Sequence, residues 1–209
     1  MAPAGPQLAA DVRWAGPGAP GVVILHGLGS SRVNHADFAT RVVAAGMSAL
    51  TLDLRGHGES GGEADAGMVD DVVAALEWLA AHGAHGLGIR GSSLGGFLAL
   101  HAATRHPDIR AVVAICPATV EGLATRRGLT WARDLPIEDA VARDDGIARG
   151  YWHATGDEVV PWQATFGLAQ RSPRPRHLRI VLGGHHRSLQ HDDAVQADTV
   201  TFLAEALGA

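Results

Sequence analysis

A chain of 209 residues with a formal charge of −5 and no basic block is long enough for one substantial core and is a poor match for nucleic acid or an anionic membrane. Its composition, 46% hydrophobic and 19% charged, is that of a soluble globular domain, and no apolar run approaches the roughly 20 residues that span a bilayer. The lone cysteine, Cys116 in the run AVVAIC, excludes an internal disulfide and reads as a buried thiol; the opening stretch lacks the pattern of a signal peptide, so a cytoplasmic protein is expected.

Taken in order, DVRW (11–14) reads as an extra edge strand, followed by the apolar runs GVVILHG (21–27) and SALTLDLRG (48–56). Further strands are expected at 86–91, 109–116, 150–156 and 177–184. Most runs are continuously apolar rather than alternating, as in strands buried on both faces. Helices are expected between them at 34–45, 67–82, 94–105, 162–170 and 190–207. The second is the clearest: Val69, Val72, Val73, Leu76 and Leu79 recur at three- and four-residue spacing and form one apolar face. Strand alternating with helix predicts an α/β fold, a mainly parallel twisted sheet covered by helices on both faces. Residues 117–149 exceed a simple crossover and read either as a small inserted lid or as an ordinary helix with a long loop.

The stretch IRGSSLGGFLAL (89–100) sets two serines at a strand-to-helix junction. In open α/β sheets ligands bind at the carboxyl ends of the strands. Only Ser93 has glycine at both minus two and plus two, Gly91 and Gly95; Ser92 has Arg90 and Leu94 there. A serine at such a sharp turn projects its hydroxyl above the sheet, and small neighbours let the turn close. The N–H of Leu94, at the head of the following helix, can hold an oxyanion. Gly86 to Gly91 also matches the dinucleotide fingerprint G-x-G-x-x-G, but that motif must follow a strand, and here it spans one.

A neutral serine needs a histidine to take its proton and a carboxylate to orient that histidine. Asp157, in HATGDEVVP, follows a later strand. His185 and His186, in IVLGGHHRS, follow the last one, and neighbouring side chains diverge, so one of the two faces Ser93. A second oxyanion donor is expected from LHGLGSS (25–31), as the amide of Leu28 or Gly29, with His26 holding the loop. No H-E-x-x-H or spaced Cys/His set appears among the twelve histidines, so neither a metal nor a cofactor is expected.

LHGLGSS, LDLRGHGES (52–60), GSSLGG (91–96), GDEVVP (156–161) and GGHHR (183–187) stand in the order found in the α/β-hydrolase fold family, which the chain resembles from about residue 20 to its end. The resemblance implies a single α/β-hydrolase domain over 1–209, with 117–149 as a small lid. It implies Ser93 as nucleophile, Asp157 as acid, His186 rather than His185 as base, and the amides of Leu28 and Leu94 as the oxyanion hole. Asp53 and Arg55 become loop-fixing charges. Two departures stand out: Ser92 replaces the histidine that commonly precedes the nucleophile, and Arg90 occupies a strand position that is usually apolar. The expected reaction is hydrolysis of a small carboxylic ester through an acyl-enzyme on Ser93, with Trp131, Val160 and Trp162 as apolar pocket walls. A thioesterase, a lactone hydrolase, a small peptidase or a non-catalytic receptor could share the same frame.

Overall fold

The continuous apolar runs form one seven-stranded sheet. The computed structural model of the chain describes residues 5–173 and 176–209. Its strands are β1 (Ala10–Arg13), β2 (Gly21–Leu25), β3 (Ser48–Leu52), β4 (Leu87–Ser92), β5 (Ile109–Ile115), β6 (Ala148–Ala154) and β7 (Arg176–Val181). They lie in the order β1-β3-β2-β4-β5-β6-β7, with β1 antiparallel to β3 and the other pairings parallel. Successive side chains of a strand point to opposite faces. Val23, Leu25, Ile89 and Val112 therefore feed one core while Val22, Ile24, Val113 and Ile115 feed the other. Two covered faces require apolar residues at both parities, which is why the strands do not alternate.

Helices α1 (Ala36–Ala44) and α6 (Asp193–Leu207) cover one face through Phe38, Val42, Val195 and Leu203. Helices α2 (Met68–Ala81), α3 (Leu94–Ala102) and α5 (Trp162–Arg171) cover the other. The α2 stripe of Val69, Val72, Leu76 and Leu79 is fully buried, each side chain contributing about 1.5–3 kcal/mol relative to exposure. All nine residues of α3 are buried, so this helix sits nearest the centre of the molecule.

Several boundaries differ from the expectation, each for a local reason. The helix expected from residue 34 begins with a 3-10 turn, Arg32–His35. The one expected from 190 is interrupted at Asp192, whose carboxylate caps α6 by accepting the Val195 N–H at 3.0 Å. The strand expected to reach 56 stops at Leu52. Beyond it the Asp53 carboxylate accepts from the backbone N–H groups of Arg32 (2.6 Å) and Glu59 (2.9 Å) and from the Arg32 guanidinium. Arg55 pairs with Asp71 and Asp65. Both charges thus fix the loop. The segment 117–149 holds a π-helical turn (Gly122–Arg126), a 3-10 turn (Thr130–Asp134) and the short helix α4 (Ile137–Val141), anchored by buried Leu123, Ala132, Ile137 and Val141. No helix among the described residues is long and apolar enough to cross a membrane.

The core also holds buried histidines. Burial, reinforced by Arg90, pushes His35 down to about 2; burial, reinforced by Arg105, pushes His101 down to about 4; burial lowers His26 as well. The unfolded chain takes up protons at these imidazoles below about 6.5, whereas the folded chain excludes them until a lower pH. Stability is therefore complete above that value and declines as pH falls from about 6.5 toward 4, by up to about 1.4 kcal/mol per pH unit per histidine. His101→Gln is expected to narrow the difference between urea midpoints measured at pH 7 and at pH 4.5. An unchanged difference would remove His101 from the account.

Candidate active site

Ser93 lies between the end of β4 and the first turn of α3, with φ 51 and ψ −116. Left-handed backbone is strained for a residue with a side chain, and close packing on both sides holds it there. A Cβ on Gly91 would overlap the Gly95 carbonyl, and one on Gly95 would come within 2.7 Å of the Leu25 and His26 carbonyls. The serine's own N–H donates to the Ile115 carbonyl at 2.9 Å, and its carbonyl accepts from Phe97 and Ala118. Its hydroxyl stands above the carboxyl edge of the sheet.

Asp157, three residues beyond β6, is saturated with donors. One carboxylate oxygen accepts the N–H groups of Val159 and Val160, each at 2.8 Å; the other lies 2.7 Å from His186 Nδ1 and 3.1 Å from His153 Nε2. Burial alone would raise this carboxyl, but the bonds from His153, His186 and Val160 outweigh it and hold the group well below the usual carboxylate range. An ionised carboxylate can only accept, so His186 carries its proton on Nδ1. That leaves Nε2 as an acceptor, 2.9 Å from Ser93 Oγ. His186 is the ring that meets both partners. His185 points outward, its side chain 78% exposed, toward Glu158 at 3.7 Å.

His153 is a participant that the sequence does not single out. It is fully buried on β6 and accepts from the Thr165 hydroxyl at Nδ1 (2.6 Å), so its Nε2 carries the proton that faces Asp157 and the Val160 carbonyl. Its position four residues before Asp157 is the only local hint. Cys116, at the end of β5, has φ 43. Its thiol lies beside Asp157 and is pushed up, first by burial and then by that carboxylate's charge, so it stays neutral.

The loop after β2 passes beside the serine. A Cβ on Gly27 would stand 3.3 Å from Ser93 Cβ. His26 fastens this loop: its Nε2 accepts the Leu54 N–H at 3.1 Å, so its Nδ1 donates to the Gly27 carbonyl at 2.8 Å. Leu28 follows, half-buried at the site. Leu94 heads α3, where an N–H has no intrahelical acceptor.

These groups open on a cavity of about 440 Å³ lined by Leu28, Ser93, Leu123, Val160, His186 and Gln190 among others. Val160 lines it. Trp131 and Trp162 do not. Trp131 turns into the α2–α3 core, its Nε1 donating to the Ala64 carbonyl at 2.9 Å, with Phe97 beside it. Trp162 starts α5 and packs edge-on against Phe166. Arg90 is fully buried behind the cavity. It donates to His35 Nδ1 and to the Gln190 carbonyl, each at 2.9 Å, and lies over the Phe38 ring at 4.4 Å. Burial lowers it to about 10, so it remains a cation. Gln190 in turn accepts the Ser92 hydroxyl. The two residues that departed from the family pattern thus share one support, Gln190, at the back wall.

The sequence profile of the serine aminopeptidase S33 family matches residues 19–136, more than half of the chain. A thermostable monoacylglycerol lipase from Bacillus sp. (strain H-257) is 30% identical over 131 residues, 61% of this chain and 52% of the lipase, so the match spans about half the length of that curated relative. Among solved structures, Est1E from Butyrivibrio proteoclasticus with ferulic acid bound superposes with a TM-score of 0.86 at 19% identity, covering 98% of this chain and 97% of that one. The α/β hydrolase GrgF from Penicillium sp. sh18 gives 0.85 at 16%, covering 98% and 96%. The monoacylglycerol lipase of Paleococcus ferrophilus gives 0.74 at 19%, covering 96% and 98%. At these identities the structural likenesses establish the fold. With the profile match they place the chain in the serine aminopeptidase S33 family of α/β-hydrolases.

Proposed function

We propose that this hydrolase cleaves small carboxylic esters through an acyl-enzyme on Ser93. The observation that carries the reading is the unbroken run of hydrogen bonds from Ser93 Oγ through His186 to Asp157. Ser93 Oγ bonds to the ester carbonyl carbon as its proton passes to His186 Nε2. The bond from that carbon to the alcohol oxygen then breaks, and His186 gives the proton to the departing alkoxide. Water repeats the sequence: its oxygen bonds to the acyl carbon, its proton goes to His186 and then to Ser93 Oγ, and the acid leaves. Asp157 stays ionised and stabilises the imidazolium. The amides of Leu28 and Leu94 hold the oxyanion, each contributing about 3 kcal/mol to transition-state stabilisation. Residues 117–149 act as a small lid, supplying Leu123 to the pocket wall.

The family's name raises a second reaction, removal of an N-terminal residue from a peptide. Such an enzyme must hold an α-ammonium group, which calls for carboxylates. The cavity wall carries Arg126, Arg127 and Arg187 against Glu158 alone, a field that repels a cation. The Bacillus relative is named as a lipase and Est1E was solved with ferulic acid, and both support an ester.

The test offers nitrophenyl esters of increasing acyl length and leucine nitroanilide to one preparation, with an acid quench during ester turnover. Ester hydrolysis with the acyl mass on the Ser93 peptide is expected, with little release from the anilide. Turnover of the anilide and of none of the esters would overturn the reading.

A further inference from the structure

The chain has no lysine, so all 17 of its permanently cationic side chains are arginines. Three of them, Arg126, Arg127 and Arg187, converge on the cavity that contains Ser93 and His186. They come from two separate places in the chain. Arg126 ends the π-helical turn of the 117–149 segment and Arg127 caps it, and Arg187 follows His186 beyond β7. Among the described residues none of the three pairs with a carboxylate, whereas Arg32, Arg41 and Arg55 each do. Arg126 has only a long contact, 3.5 Å, to the Val159 carbonyl. The one acidic group on the wall, Glu158, faces His185 and the His186 N–H. The mouth thus carries three positive charges and one negative on a protein whose net charge is −5.

Guanidinium forks that lack protein partners match the planar or tetrahedral oxygens of an anion. A concave mouth of one sign also concentrates ligands of the other. We propose that the substrate of this site is an ester bearing a second, anionic group, a carboxylate or a phosphate, which Arg126, Arg127 and Arg187 hold at the mouth while the ester carbonyl meets Ser93. The proposal rests on the ester reading above. Leu28, Leu123 and Val160 then receive the short apolar stretch between the two groups.

The experiment compares kcat/KM for three nitrophenyl esters of similar length: the neutral valerate, the monoester of glutaric acid and a 4-phosphonobutyrate. The wild type is expected to favour at least one anionic ester over the valerate by about tenfold or more, and the better of the two identifies the anion. Raising salt from about 0.02 M to about 0.5 M should shrink that preference, because screening acts on exposed charges. In the triple variant Arg126→Gln/Arg127→Gln/Arg187→Gln the anionic-to-neutral ratio should fall to about one, and Arg187→Glu alone should lower it. Equal turnover of all three esters by the wild type, or a preference that survives the triple substitution, overturns the proposal and leaves the ester reading intact. Turnover of none of them overturns both.

Discussion

Replacing Ser93 with alanine is expected to lower kcat for a nitrophenyl ester by about 10⁴- to 10⁶-fold, the range seen when a serine hydrolase loses its nucleophile. The substitution removes one oxygen and leaves the backbone at φ 51 for a residue that, like serine, carries a Cβ. His186 keeps its bond to Asp157, and the Leu28 and Leu94 amides keep their positions, so a small residual rate over water remains. Folding should be nearly unaffected, within about 0.5 kcal/mol, because a half-buried hydroxyl is lost and no cavity forms in the core. The measurement is a steady-state rate beside a urea unfolding curve. A variant that keeps a tenth of the parent rate, with a normal unfolding curve, would show that the hydroxyl at 93 is not the nucleophile.

The second large effect separates the neighbouring histidines. His186→Ala is expected to cost nearly as much as the loss of Ser93, since a serine without a base is a neutral alcohol. His185→Ala should change the rate by no more than about twofold, because that ring is 78% exposed and faces Glu158. Groups that act as one unit are not additive, so Ser93→Ala/His186→Ala should be no slower than Ser93→Ala alone. A further large drop in the double variant, or inactivation by His185→Ala, would break the assignment. Acid should not silence the site through Asp157. Four donors hold that carboxyl well below its usual range, so it remains ionised while more accessible groups titrate.

Much of the frame was legible because backbone chemistry dictates it. The glycines at 91 and 95 mark Ser93, and the structure supplies the reason: side chains there would strike carbonyl groups of the elbow and of the end of β2. Strands and helices followed from apolar periodicity, and the loop-fixing role of Asp53 and Arg55 from the resemblance to the α/β-hydrolase fold family. What escaped depends on contacts between distant parts of the chain. Arg90 looks misplaced in a buried strand until His35, 55 residues away, and Gln190, 100 residues away, supply its acceptors. His153 was one histidine among twelve, and its value lies in the direction of one ring nitrogen. Trp131 and Trp162 misled for a related reason. Their partners lie elsewhere in the chain: Ala64 and Phe97 take the Trp131 indole, and Phe166 takes that of Trp162.

One property of the sheet bears on how this catalyst fails. The hydrogen-bonded run from Ser93 to Asp157 lies beyond the ends of three strands, and β7, the last strand before His186, is the outermost of them. It pairs on one side only, and its residues are half-buried or exposed, whereas β4 and β6 are buried throughout. Edges of this kind open locally at lower cost than the interior. Mild heat or denaturant is therefore expected to disarm the proposed site by peeling its margin before the indole of Trp152, deep within β6, meets solvent, so that inactivation and unfolding separate into two events.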